Sequence, residues 1–337
     1  MGDGPRLSVI VPVHQAAGYL AETLGALRTA ASPGVAWELL VVDDGSTDES
    51  ATIADRFADR VVRLADAPKG PAGARNAGVA VAHGEWLLFI DADVRARPDT
   101  LRRFWHSVES HPLAVAIFGT YDATPADRGL VSRYRNLLHR YVHLSGAGPA
   151  ETFWAGLGGV RADRFRQVGG FDAKRYPRPQ IEDIEFGYRV RDSGGVIMLD
   201  PEIQGTHLKA WTFGRMAVTD FRDRAVPWTR LLLERRGRRP PTLNISPNEQ
   251  LRVSLAGAVW AAGAFAVLRP AAGFAWLALG LLALLAGSNL ALYRWFAAEQ
   301  GVRMALAAVP LNLWYYLSNA LAVAVAIPVY LGGVRHD

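Results

Sequence analysis

The sequence predicts a doubly wound α/β domain with a mostly parallel sheet, followed by amphipathic helices and a C-terminal set of transmembrane helices. Three observations carry this reading. Short β-branched apolar runs alternate with stretches of helical periodicity through the N-terminal part of the chain. Two of those runs stop abruptly in clustered aspartates. From Val253 onward the chain is mostly Ala, Leu, Val, Gly and aromatic residues.

Leu7–Val13 (LSVIVPV) has the continuous apolar character of a buried parallel strand. Ala17–Thr29 follows with Leu20, Leu24 and Leu27 on one helical face. Residues 37–42 (WELLVV) form a second buried strand, ending in Asp43-Asp44-Gly45-Ser46. Residues 50–58 read as a helix, 61–64 as a short strand and 73–83 as a helix. Trp86–Ile90 (WLLFI) is a strand that ends in Asp91-Ala92-Asp93. Beyond it the pattern loosens. Residues 114–118 and 196–199 read as strands, 130–144 and 184–192 as helices, and 153–160 as a strand broken by glycine. In sheets of this kind ligands sit beyond the carboxyl ends of the strands, so both aspartate clusters fall where a site is expected.

Three domains follow: 1–210 as the α/β domain, 211–250 as interfacial helices and linker, and 251–337 as the membrane region. The linker is marked near 239–250 by Pro240, Pro241 and Pro247. Apolar stretches at 253–268, 271–292 and 304–334 give about three helices able to cross a bilayer core, the last reduced to 306–332. Trp211, Phe213, Met216, Phe221 and Trp228 mixed with Arg fit amphipathic helices lying in a lipid interface, or ordinary packing in a soluble unit.

The net charge of +5 is local: residues 215–239 hold eight Arg against Asp220, Asp223 and Glu234. Arg235, Arg236, Arg238, Arg239 and Arg252 precede the first apolar stretch, and Arg294 and Arg303 lie between the last two. Those loops are expected on the cytosolic side, with Arg269-Pro270 as a tight outer turn. Charge concentrated there suits a membrane surface and argues against nucleic acid as a partner. The chain has no cysteine, which excludes disulfides and thiolate metal sites. No signal peptide precedes the first strand, so the α/β domain is expected in the cytosol, and the Ala-, Gly- and Arg-rich composition suggests a bacterial plasma membrane.

Asp91 and Asp93, at i and i+2 after a strand, can converge on one hard cation that grips a diphosphate. Alone an Asp-x-Asp is more often a solvated loop; its place behind WLLFI singles it out. Asp43 and Asp44 could cap the following helix, but two adjacent carboxylates at a buried strand end repel unless donors meet both, and N–H groups of a nucleoside would serve. Lys69-Gly70-Pro71-Ala72-Gly73-Ala74-Arg75 is a loop opening a helix, a natural anion site, although such a segment taken alone is more often solvated surface. Glu182-Asp183 either supports a helix N-terminus or faces a cleft. Trp154 can face a sugar or the core, and a single His such as His207 is more often structural than ligating.

The ordered set PVHQ, VVDDGSTD, GPAGARNAG, FIDADV, GGFD and ED resembles the family 2 glycosyltransferases of the GT-A (Rossmann-like) fold, over roughly residues 7–210. The resemblance implies that Asp43 and Asp44 sit by base and ribose, with Pro12 and His14 lining that pocket. It places Lys69 and Arg75 beside the donor and Trp154 in the sugar wall. Asp91 and Asp93 would form the metal–diphosphate motif, aided by His207, and a divalent Mg or Mn ion would be the cofactor. Asp183, paired with Glu182, would be the catalytic base of an inverting transfer. A base suits a hydroxyl acceptor, expected to be lipid or lipid-linked, and a UDP-sugar is the expected donor. The rival readings are a polyprenyl-phosphate glycosyltransferase and a non-catalytic nucleotide-sugar-binding membrane subunit. Processive synthases carry Gln-x-x-Arg-Trp where this chain reads HLKAW, so processive extension is not expected.

Overall fold

The computed structural model describes residues 4–64, 68–235, 245–269 and 272–333. The chain divides into two compact units: residues 1–127 with 143–210, and residues 128–142 with 211–337. The linker residues Arg236, Arg238, Arg239, Pro240 and Pro241, and Pro270 of the expected outer turn, lie outside the described residues.

The first unit is built on β1 (Leu7–Val13), β2 (Trp37–Asp43), β3 (Arg60–Arg63), β4 (Trp86–Ile90), β5 (Val94–Ala96), β6 (Ala114–Tyr121), β7 (Gly148–Ala150), β8 (Leu157–Arg161) and β9 (Val196–His207). They form one sheet in the order β3-β2-β1-β4-β8-β6-β9-β5, with β7 added against β9. β3, β2, β1 and β4 run parallel, β6 and β9 run parallel to each other, and β8, β5 and β7 pair antiparallel. The sheet is thus mixed: parallel where the sequence alternates strand and helix, interrupted by β8 in the centre. Helices α1 (Ala17–Thr29), α2 (Ser50–Phe57), α3 (Gly70–Val81), α4 (Thr100–Ser110), α5 (Leu130–Ser145), α6 (Ala162–Gln167) and α7 (Glu182–Asp192) complete the set.

The apolar stripe of α1 is fully buried at Leu20, Leu24 and Leu27, each worth about 1.5–3 kcal/mol of removed apolar surface. Trp86 of β4 meets Phe104 of α4 edge to face at 5.9 Å. That ring fits because position 159 is glycine: a Cβ there would lie 2.3 Å from Phe104.

Two expected strands change. Only 157–160 of the expected 153–160 segment is extended, in a strand that runs on to Arg161, because Gly156 folds back under Trp154, whose ring would lie 2.6 Å from a Cβ at 156. Residues 196–199 begin a far longer strand. After a register shift β9 resumes pairing at Thr120↔Gln204 and reaches His207. β5, α4, β7 and α6 had no counterpart in the sequence reading.

The second unit contains α8 (Phe213–Val218), a π-helical segment (Thr219–Ala225), α9 (Val226–Glu234), α10 (Pro247–Leu268), α11 (Ala272–Gly287), α12 (Leu290–Gln300) and α13 (Val302–Gly333). The part of α5 that belongs here buries Tyr134 and Leu137 with Phe296 of α12 and Met304 and Ala308 of α13. Arg135 lies 3.9 Å over the ring of Trp211 and pairs with Asp220 at 2.6 Å. Among the described residues α10 and α13 are each long and apolar enough to cross a membrane. The expected 271–292 span is not one straight helix: α11 ends at Gly287, and α12 leaves it at 53°. Pro310 and Pro328 lie inside α13 without ending it.

Candidate active site

The site assembles at the carboxyl ends of β1, β2 and β4. Val13 of β1 lies beside Asp43 of β2, so the chain leaves both strands at one edge. Half-buried Pro12 and exposed His14 line that edge, and His14 Nδ1 is 2.9 Å from the Asp44 carbonyl oxygen.

Asp43 and Asp44 are both buried. Ser46 N–H donates to Asp43 Oδ1 at 3.1 Å, while Lys69 and Gly70 N–H donate to the two Asp44 oxygens at 2.8 Å each. The donors that two adjacent carboxylates require are therefore supplied by the chain itself, where the sequence suggested that nucleoside N–H groups would serve. Asp44 is the clasp that holds the start of α3. Gly70 makes this possible: its φ is +72°, and a Cβ would lie 2.3 Å from the Pro177 carbonyl oxygen. The Lys69 side chain is exposed.

Arg75, on α3, is the centre of the arrangement. Only 4% of it is exposed, and its guanidinium donates to Asp91 at 2.6 Å and to Glu182 at 2.9 Å. It also lies 5.6 Å from the ring centre of Phe171. One buried cation thus joins the end of β4 to the first turn of α7. Glu182's second oxygen accepts from Gln180 N–H at 3.0 Å, so both its oxygens are engaged and its role is to anchor Arg75. Asp183 accepts from Ile184 N–H at 2.8 Å and from Ala155 N–H at 3.1 Å. Burial, with the neighbouring Glu182 charge, pushes the Asp183 carboxyl up to about 7 against the opposing pull of Arg75.

A tight turn fixes the other pair. Asp91 N–H donates to Gly156 O at 3.1 Å, Val94 N–H to Asp91 O at 2.9 Å, and Leu208 N–H to Asp93 O at 2.8 Å. Burial raises both carboxyls. Asp93 raises Asp91 further while Arg75 opposes; for Asp93 the chief opposing charge is Lys209. Pairing of Val94 with His207 brings the imidazole to the turn, and His207 Nε2 lies 3.7 Å from Asp93 Oδ2.

His207 opens a row of rings: Tyr121 at 5.0 Å from it, Trp154 at 4.9 Å from Tyr121, and His143 at 5.4 Å from Trp154. His143 is buried, which pushes it down to about 4, so the neutral ring donates from Nδ1 to Gly119 O at 3.0 Å. Tyr121, His143 and the anchoring role of Glu182 were not legible in the sequence. Lys209 was missed as well, although its place two residues after His207 was a signal that could have found it.

Among the described residues no three His, Asp or Glu side chains form a cluster able to hold a metal ion. The expected trio Asp91, Asp93 and His207 is not preformed, because Asp91 is turned to Arg75. Asp93 and His207 remain as an oxygen and a nitrogen donor side by side. That pair fits a hard divalent ion which takes its other ligands from phosphate oxygens and water.

The fold and this carboxylate rim define a GT-A domain. Nearly the whole chain superposes on the mannosyltransferase PcManGT from Pyrobaculum calidifontis, a structure in complex with GDP-Man and Mn2+, with TM-score 0.61, 20% identity, and coverage of 92% of this chain and 87% of that one. It also superposes on S. aureus TarS 1-349 in complex with UDP-GlcNAc, with TM-score 0.52, 17% identity, and coverage of 97% and 92%. Residues 8–169, just under half of the chain, match the model of glycosyl transferase family 2. The chain is 33% identical over 115 residues to the succinoglycan biosynthesis protein ExoO of Rhizobium meliloti, covering 34% of this chain and 32% of ExoO. It is 27% identical over 227 residues to the glycosyltransferase AglE of Haloferax volcanii, covering 65% and 71%. The match spans 32% of ExoO and 19% of the poly(ribitol-phosphate) β-N-acetylglucosaminyltransferase TarS of Staphylococcus aureus, a third or less of the first curated relatives.

Proposed function

We propose that this protein transfers a sugar from a nucleotide-sugar donor to a hydroxyl acceptor, with inversion, at the cytosolic face of a membrane. The carrying observation is Arg75, which holds the leaving-group carboxylate Asp91 and the Glu182–Asp183 pair on two sides of one buried guanidinium. Pro12, His14, Asp43 and Asp44 border the nucleoside; Lys69, Arg75 and Lys209 supply positive charge toward the diphosphate. Trp154 and Tyr121 offer flat faces to the sugar.

Asp183 takes the proton of the acceptor hydroxyl. The acceptor oxygen forms its bond to the anomeric carbon as the bond to the donor's phosphate oxygen breaks, and that electron pair leaves on the nucleoside diphosphate. Mg or Mn held by Asp93 and His207, with Asp91 nearby, would offset the charge gathering on the diphosphate. A carboxyl poised near 7 is matched to proton abstraction at neutral pH. The acceptor is lipid or lipid-linked and the donor a UDP-sugar, a reading supported by the apolar helices and by the solved TarS complex.

The test is nucleotide release from UDP- and GDP-sugars with Mn2+, in membranes containing the full chain. The wild type is expected to release nucleotide, Asp93→Ala to be inactive yet folded, and Asp183→Asn to lose about 10²–10⁴-fold in rate while still binding donor. Full turnover by Asp183→Asn would remove the base from the scheme.

A further inference from the structure

The second unit buries a polar cluster that the transfer chemistry does not use. Arg252 of α10 donates to Glu249 and, at 2.7 Å, to the carbonyl oxygen of Ser288 in the break between α11 and α12. Tyr316 of α13 donates to Glu249 at 2.8 Å, and its hydroxyl lies 3.1 Å from Asn289 Oδ1. Ser288 Oγ and Asn289 Nδ2 donate to Leu285 O at 2.7 and 2.9 Å, capping the end of α11. A little further along, Tyr293 donates to Asn312 at 2.9 Å. Asn289 and Asn312 are 2% and 0% exposed.

Such groups are costly in hydrocarbon and gather where water is near. Measured outward from this cluster, the three apolar segments match in length. Residues 253–268, 272–287 and 317–333 hold 16, 16 and 17 residues, with no charged side chain. At 1.5 Å per residue each reaches about 25 Å, close to the roughly 27–30 Å of a bilayer core. α13 as a whole has 32 residues and is about 48 Å long, far more than the core requires. Its charge, Arg303, and Asn312 lie before Tyr316; after Asn319 it carries no polar group except Tyr330.

We infer that the bilayer begins at the level of Glu249, Ser288 and Tyr316, so that α12 and residues 302–315 of α13 stand in or above the headgroups and only 317–333 of α13 is immersed. This revises the expected span of 306–332 and rests on the membrane reading given above. The lipid-facing surface is then made by side chains such as Phe265, Trp276, Leu279, Val325 and Leu331, which are exposed in the isolated chain.

The absence of cysteine allows a clean test. Leu306→Cys, Leu279→Cys and Val325→Cys, all at exposed positions, are each labelled with a nitroxide in the full chain, in phosphatidylethanolamine–phosphatidylglycerol vesicles. Collision rates with oxygen and with a water-soluble nickel chelate are compared. The oxygen-to-nickel ratio is expected below one at 306 and above one at 279 and 325. A ratio above one at 306, equal to that at 325, overturns the inference while leaving the membrane reading intact. Ratios below one at all three positions overturn both.

Discussion

Asp183 and Asp93 are half-buried carboxyls whose charge is only partly answered, and each makes a measurable demand. A base must be ionised, so with Asp183 poised at about 7 the turnover rate is expected to fall tenfold per pH unit below that value and to level off above it. Stability runs the other way. The folded carboxyl binds its proton more tightly than an unfolded one at 3.8, so its contribution is intact below pH 4 and is lost as the pH rises through 7. A pH–rate profile set beside melting curves at pH 5 and 8 checks both signs. The groups facing it are Glu182, Arg75 and the N–H groups of Ala155 and Ile184. Lys209 is held near Asp93 by the Leu208 N–H bond. Lys209→Gln is expected to weaken nucleoside diphosphate binding about 10–100-fold, the value of one charge-assisted hydrogen bond. Nucleoside monophosphate binding should change far less; calorimetry with both ligands decides. Equal weakening would mean that Lys209 only supports the fold.

At the level of elements, the start of α3 meets the 171–181 segment in a tight joint beside the site. Gly70→Ala adds a Cβ against the Pro177 carbonyl at a φ of +72°, so it is expected to cost about 1–3 kcal/mol and to loosen the Asp44 clasp. A drop in melting temperature together with weaker donor binding is the expected readout; an unchanged melt would refute the joint. The same scale shows what could be read from the chain alone. β1, α1 and β4 were legible to the residue because continuous apolar runs and a clean Leu20–Leu24–Leu27 stripe leave no alternative register. β5, with 3 residues, is too short to show a period. β9 continues past Pro201 only because β6 receives it after a shift, which no local pattern encodes. Residues of the site carried by local motifs were found. Those delivered by distant elements, Tyr121 from β6 and His143 from the end of α5, were not.

The whole molecule is less modular than its composition suggests. Residues 128–142 are numbered within the α/β region but pack in the second unit. A chain ending at Ala210 therefore strips Tyr134 and Leu137 of Phe296, Met304 and Ala308, at about 1.5–3 kcal/mol for each apolar side chain returned to water. It is expected to self-associate, with gel filtration as the check; a monodisperse monomer would contradict this. The loaned helix also bears on how such proteins can diversify. A crossover that exchanged only the tail beyond 210 would leave α5 facing a stranger, so a hybrid with a foreign anchor must inherit residues 128–142 from the anchor's parent. Transplantation here needs two cuts in the gene rather than one.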